Sequence, residues 1–168
     1  MSSLLYVITR WVHVISGAAW FGLVGAIVFV IFPVLSRMST SQRNRLMGLV
    51  FPRIFRLATI LVSLTLAAGA LLNYLLTGWR SLGMYFSSPR WFALFLGAAL
   101  GLALGTFHFL VEPRLENKIH SLVESEDEDQ IEQVSHFLKI VPRVGFCILM
   151  IVILFMMVFS RGTGQAGI

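Results

Sequence analysis

Four stretches without a charged residue limit what this chain can fold into. They separate Arg10 from Arg37, Arg56 from Arg80, Arg90 from Glu112 and Arg143 from Arg161, and they hold 26, 23, 21 and 17 residues. A bilayer core about 30 Å thick takes about 20 apolar residues of helix to cross. Each stretch therefore predicts one transmembrane helix, over about 11–36, 57–79, 91–111 and 144–160. The last relies on its flanking turns for length. The expected fold class is all-α: a polytopic membrane protein built as an antiparallel four-helix bundle.

Composition supports this. Of 168 residues, 57% are hydrophobic and only 12% charged, with a mean hydropathy of +0.84. Soluble domains carry about twice that charge. The length leaves room for one domain, 1–161, and a short tail, 162–168. A net charge of +5 would suit nucleic acid if the basic residues formed a soluble face. They bracket apolar spans instead, so nucleic acid is excluded and the lipid bilayer is the expected partner. Cys147 is the sole cysteine, so no intramolecular disulfide forms. The first apolar segment is too long for a signal-peptide core and reads as a retained helix.

Orientation follows from the basic residues. The side of the two termini carries Arg10, Arg80, Arg90 and Arg161. The opposite side carries nine: Arg37, Arg43, Arg45, Arg53, Arg56, Arg114, Lys118, Lys139 and Arg143. Lys and Arg are retained in the cytoplasm. Both termini are thus expected outside the cell membrane, with loops 37–56 and 112–143 cytoplasmic. All eight acidic residues lie on that basic side too, clustered at 124–129, where a solvated turn is expected. The apolar pattern at Ile131, Val134, Leu138 and Val141 predicts that helices continue past the membrane there. The third should run over about 90–123 and the fourth over about 128–161. Pro33, Pro52, Pro113 and Pro142 are each expected to kink or interrupt a helix near that surface. Pro89 suits a helix start.

Ala93, Gly97, Gly101 and Gly105 repeat every four residues, as do Ala18, Gly22 and Ala26. Small residues at this spacing let helix backbones approach closely in lipid, so both rows are expected to be packing seams. Glycines there also leave room for a flat cofactor.

A histidine inside a span is a functional-site hypothesis by default. His13 lies about one turn into the first span and shares a helical face with Gly17 and Trp20. Its imidazole is a candidate ligand for copper or haem iron. The alternative is an interfacial histidine within an aromatic belt of Trp11 and Trp20. His108 continues the glycine face of the third span and is expected to face protein. Counting residues along the two spans separates His13 and His108 by roughly 20 Å in depth, which argues against one bis-histidine haem. On the basic side, Glu116 and His120 on one helix and Glu132 and His136 on the next form two Glu-x-x-x-His pairs running in opposite directions. Carboxylate and imidazole suit zinc, iron or manganese, and ordinary surface pairing is the alternative. His13, buried in a span, is expected to outrank that exposed group as the holder of any metal. Arg53, Arg56 and Arg143 read as snorkelling side chains, or as an anion clamp. No Gly-rich phosphate loop, Ser-His-Asp set or Cys-x-x-Cys motif occurs, so no catalytic residue is assigned.

Arg10-Trp11-x-His13 followed by Gly17-x-x-Trp20-x-Gly22 resembles the opening helix of the copper-resistance protein D-like membrane domains. It also resembles that of the membrane domain attached to certain bacterial urate oxidases. Phe32-Pro33, Phe51-Pro52-Arg53-x-Phe55-Arg56 and Val111-x-Pro113-Arg114-Leu115 look like a four-helix family tied to cisplatin tolerance. The resemblance implies a helical bundle linked to copper or redox chemistry, and singles out His13 and Trp20. Two functions are thus expected as alternatives. The first is a membrane protein holding haem b or copper, at His13, Trp20 or His108, in copper handling or electron transfer. The second is a non-catalytic subunit or scaffold, assembling with a partner subunit or further copies through its glycine seams.

Overall fold

The computed structural model describes residues 3–78, 82–125 and 128–161, and their side chains other than those of 3, 40, 112, 113, 115, 116 and 118–139. Helix α1 covers Ser3–Ala26 and passes through a wide π turn, Ile27–Ile31, into the short α2, Phe32–Leu35. Helix α3 covers Thr40–Thr77. A 3-10 turn over Leu82–Phe86 leads to α4, Pro89–Ser125, and α5 covers Glu128–Arg161. Four of these stretches are long and apolar enough to cross a membrane: Leu4–Leu35, Ser41–Thr77, Pro89–Val111 and Ile140–Arg161. The protein is an all-α, multi-pass membrane bundle.

Local chemistry sets the helix ends. Ser39 and Gln42 form a capping box that opens α3, satisfying backbone N–H groups that have no partner in the first turn. Gly78 closes it at φ 59°, ψ 14°, its N–H donating to the Tyr74 carbonyl. That left-handed conformation costs glycine nothing. Pro89 opens α4, where a missing N–H does no harm.

Of the four prolines on the basic side, only Pro33 changes the helix type. Pro33 has no N–H to give the Phe29 carbonyl, and its ring would crowd that oxygen. The chain widens just before it, and Phe32 N–H reaches back five residues to the Ile27 carbonyl. Such π turns relieve a local misfit without ending the helix. Of the two expected effects, a kink or an interruption, the interruption does not occur: α3, α4 and α5 continue as helix through Pro52, Pro113 and Pro142. Each helix has 34 or more residues. At 1.5 Å per residue that is about 50 Å or more, well beyond a bilayer core of about 30 Å, so helix projects past the membrane on the basic side.

Neighbouring helices run antiparallel, as their contacts show. Phe32 of α2 meets Phe51 of α3 while His13 of α1 meets Thr65. The α3–α4 seam pairs Thr59 with His108. The α4–α5 seam sets Gly97 beside Met156 and Leu104 beside Gly145. Phe146 of α5 closes the ring against α1, stacked on Phe21 at 4.7 Å and edge-on to Phe29 at 5.2 Å. Two buried clusters result. One joins Ile27, Phe32, Leu35, Met47, Phe51 and Ile54; the other joins Trp20, Val62 and Leu149. At the other end, Arg90 donates from Nε to the Phe159 carbonyl at 3.0 Å, its guanidinium 4.9 Å from the Phe159 ring. That ties the start of α4 to the last turn of α5, whose carbonyls lack helical partners.

The two small-residue rows have different fates. Ala93, Gly97 and Gly105 are buried between helices. A Cβ at Gly101 would meet nothing within 4 Å. Ala18, Gly22 and Ala26 are exposed, and Gly22 also has open space around it. Among the described residues the row on the first helix therefore packs against no other helix of the chain. The face of α1 that packs on α3 is instead His13, Ser16, Gly17 and Trp20, one step round the helix. Apolar side chains cover the outside: Val30, Ile60, Leu102 and Leu154 are each more than half or about half exposed. Such a surface belongs in lipid.

Candidate functional site, an apolar cavity and two intramembrane histidines

A cavity of about 430 Å³ lies among α1, α3, α4 and α5, toward the basic side. Trp20 and Ile27 contribute walls from α1, Phe51 and Ala58 from α3, Leu104 and His108 from α4, and Gly145 and Leu149 from α5. The π turn presents Ile27 here, and Gly145 leaves space, because a Cβ there would meet only Leu104, at 3.9 Å. The size falls in the range of pockets that hold one small molecule, about 300–1,000 Å³. Among the described residues on its walls, His108 is the one ionisable side chain. Its Nε2 lies 3.2 Å from Thr59 Oγ1 on α3, so it faces protein as expected from its position beyond Gly105.

His13 occupies a different place. Its Nδ1 lies 2.9 Å from the Thr65 carbonyl. A carbonyl only accepts, so Nδ1 carries the proton, and Nε2 is the acceptor of the neutral ring. The ring comes this close because position 69 is glycine: a Cβ there would sit 2.9 Å from His13 Cε1 and 3.1 Å from Nδ1. Ser16 Oγ donates to the Val12 carbonyl at 2.7 Å. Thr65 Oγ1 stands 2.9 Å from Ser16 Oγ and 2.7 Å from the Leu61 carbonyl. Ser16 Oγ also lies 3.3 Å from the His13 carbonyl, so two hydroxyl protons serve four contacts and two are filled at any instant. This polar cluster locks α1 to α3.

His13 lies well inside its helix. Helix α1 starts at Ser3, ten residues earlier and almost three turns at 3.6 residues each. The anchors of His13 and His108 on α3, Thr65 and Thr59, are six residues or roughly 9 Å apart along its axis. His13 also rests on Gly69, ten residues along α3 from Thr59, so the two rings stand at different levels of the bundle. Two imidazoles on one zinc-like ion, at about 2.1 Å each, stand about 4 Å apart at most. His13 and His108 are therefore too far apart to share one such ion. Trp20 belongs with His108 at the cavity, not with His13. Among the described residues no three His, Cys, Asp or Glu side chains gather. The side chains of Glu116, His120, Glu132 and His136 lie outside the described residues; only their helices, α4 and α5, are defined. Arg53 and Arg56 point outward beside exposed Leu57 and Ile60, as snorkelling side chains do.

Thr59, Thr65, Ser16 and Gly69 hold the two histidines, and reading the sequence missed all four. A signal existed, since hydroxyl residues inside an apolar span seek partners across helices.

The arrangement defines a class: a four-helix membrane bundle with an apolar cavity and one imidazole on its wall. The family model described as a domain of unknown function, DUF4149, matches residues 15–118, well over half the chain, and the protein belongs to that family. The matched stretch takes in Trp20 and His108 and ends before α5. No curated protein and no solved structure matches.

Proposed function

We propose that this is a cell-membrane protein that binds a lipophilic molecule in the cavity between its helices, with His108, hydrogen-bonded to Thr59, as the polar contact. The observation that carries this reading is the apolar cavity of about 430 Å³ with a single imidazole on its wall. Apolar surroundings favour an apolar ligand, and one placed polar group orients it. Haem b, one of the cofactors expected from a histidine inside a span, belongs to this class, and His108 would hold its iron. Iron at Nε2 would have to displace the Thr59 hydroxyl. Copper handling finds less support, because His13 presents one imidazole and a backbone carbonyl, not a set of soft donors. The cavity thus favours His108 over His13 as the cofactor residue.

The test is the protein purified in mild detergent, with an optical spectrum, elemental analysis and mass spectrometry of its organic extract. A stoichiometric molecule should accompany the wild type. It should be depleted by Gly145→Leu, which fills the cavity, and by His108→Ala. A Soret band lost in His108→Ala identifies haem. A metal or chromophore lost only in His13→Ala moves the site to the α1–α3 contact. An empty, colourless wild type defeats the binding reading.

One observation favours a second reading, assembly. The row Ala18, Gly22 and Ala26 faces outward and is not filled within the chain, which suits close approach of another transmembrane helix, from a partner subunit or another copy.

Nine basic residues against four support the orientation with both termini outside. In a Cys147→Ala background, Ser125→Cys should label only from the cytoplasm and Gly164→Cys only from outside. Reversed labelling overturns this orientation.

A further inference from the structure

The cavity has a mouth, and the mouth faces the bilayer. Four residues line the cavity and are also exposed: Ala103 and Phe107 on α4, Ile140 and Val144 on α5. Phe107 is 43% exposed and Val144 52%. Each pair is four residues apart, so each forms one strip on one face of its helix. The four lie within, or at the edge of, the membrane-spanning stretches of α4 and α5. The opposite end of the cavity is closed by Trp20 and Leu149, each 4% exposed, with the fully buried Val62 packed against them.

We infer that a hydrocarbon chain of a membrane lipid enters this cavity sideways, between α4 and α5, with its end against Trp20. This rests on the proposed binding function and names its ligand class and route. The walls reject water-borne ligands: a polar molecule would leave its hydration shell and find, among the described side chains on those walls, His108 and the Trp20 indole to replace it. Water is a poor occupant for the same reason, because a buried water needs two to four polar partners. A chain already in the bilayer crosses no water to enter. Among the described residues that line the cavity none is a Lys, Arg, Asp or Glu that would hold it back. His108, held by Thr59 behind it, lies on the cavity wall, where it can meet a carbonyl or hydroxyl group on that chain.

Trp20 reports on the occupant. With Trp11, Trp79 and Trp91 replaced by Phe, Trp20 is the sole indole. The full chain is reconstituted in phosphatidylcholine vesicles whose acyl chains carry bromine at mid-chain, a contact quencher. Trp20 emission should fall by more than half relative to unbrominated vesicles, although the side chain is buried. Ala103→Phe narrows the mouth and should restore most of the emission. Val144→Phe at the other rim is the second variant should Ala103→Phe not fold, as judged by circular dichroism. Undiminished emission in brominated lipid overturns the inference. So does quenching that survives in the folded rim variants, since bromine then arrives by another seam. Quenching by aqueous acrylamide at the rate of an exposed indole overturns it too, because the cavity then opens to water. Lateral quenching in a protein that purifies without a bound molecule leaves the route standing and defeats the proposed binding function.

Discussion

Gly69→Ala is expected to lower the melting temperature of the protein in detergent, and to lower it little once His13 is already alanine. The added Cβ would stand 2.9 Å from His13 Cε1 and 3.1 Å from Nδ1, and the first contact is one that real Cβ atoms do not make. The imidazole cannot swing away without losing the Thr65 carbonyl, 2.9 Å from Nδ1. Overpacking of this kind costs about 1–3 kcal/mol. Loss of one interhelical hydrogen bond in a membrane adds about 0.6 kcal/mol on average. Alanine returns up to about 1 kcal/mol of helix propensity. The sign in the wild type is therefore destabilising. In the His13→Ala background the clash is gone and the propensity gain remains, so the same substitution should be neutral or slightly stabilising. A double-mutant cycle over the four proteins isolates the contact, with an expected coupling of about 1–3 kcal/mol. Equal shifts in both backgrounds would mean that His13 does not lie on Gly69.

The second large effect is at the α3–α4 seam. Gly105→Leu should strongly reduce the melting temperature, while Gly101→Leu, one turn earlier on the same helix, should change it little. A Cβ at position 105 would meet Leu66 Cδ1 at 2.6 Å and Val62 Cγ1 at 3.3 Å. Val62 is fully buried and β-branched, so it has little freedom to move. The larger leucine must push α3 and α4 apart, which exceeds the usual overpacking cost of about 1–3 kcal/mol. At position 101 nothing lies within 4 Å, and a helix-favouring residue replaces glycine. Gly97 falls between them, because the atom nearest its added Cβ is the flexible end of Met156, at 2.8 Å. Similar losses at 101 and 105 would show that the two glycines share one face environment, against the packing described here.

These two experiments mark where sequence reading stops. The row Ala93, Gly97, Gly101 and Gly105 is legible as a seam from spacing alone, and three of its four members do pack. The row Ala18, Gly22 and Ala26 has the same spacing and faces outward. His108 was legible as facing protein because it continues the packed row. His13 was legible as sharing a face with Gly17 and Trp20, and that face does pack on α3. Its distance from the start of the helix was not, because nothing charged or helix-breaking marks where α1 begins, and the helix starts at Ser3. The partners Thr65 and Thr59 lie 52 and 49 residues from the histidines they meet, and no local pattern reports a contact at that range.

What the sequence alone determined is what acts locally: four apolar stretches of bilayer length, and helix ends marked by the Ser39–Gln42 box, Gly78 and Pro89. Capping and transfer from water depend on a few neighbouring residues or on a running sum of hydrophobicity. What only the tertiary structure decided is the rotation of each helix about its axis. That rotation sets which glycines meet a neighbour, whom each histidine touches, and whether the bundle leaves a cavity. In water an amphipathic stripe reveals the inward face. In a bilayer both the lipid-facing and the protein-facing sides are apolar, so the pattern carries almost no sign of direction, and side-chain shape settles the packing.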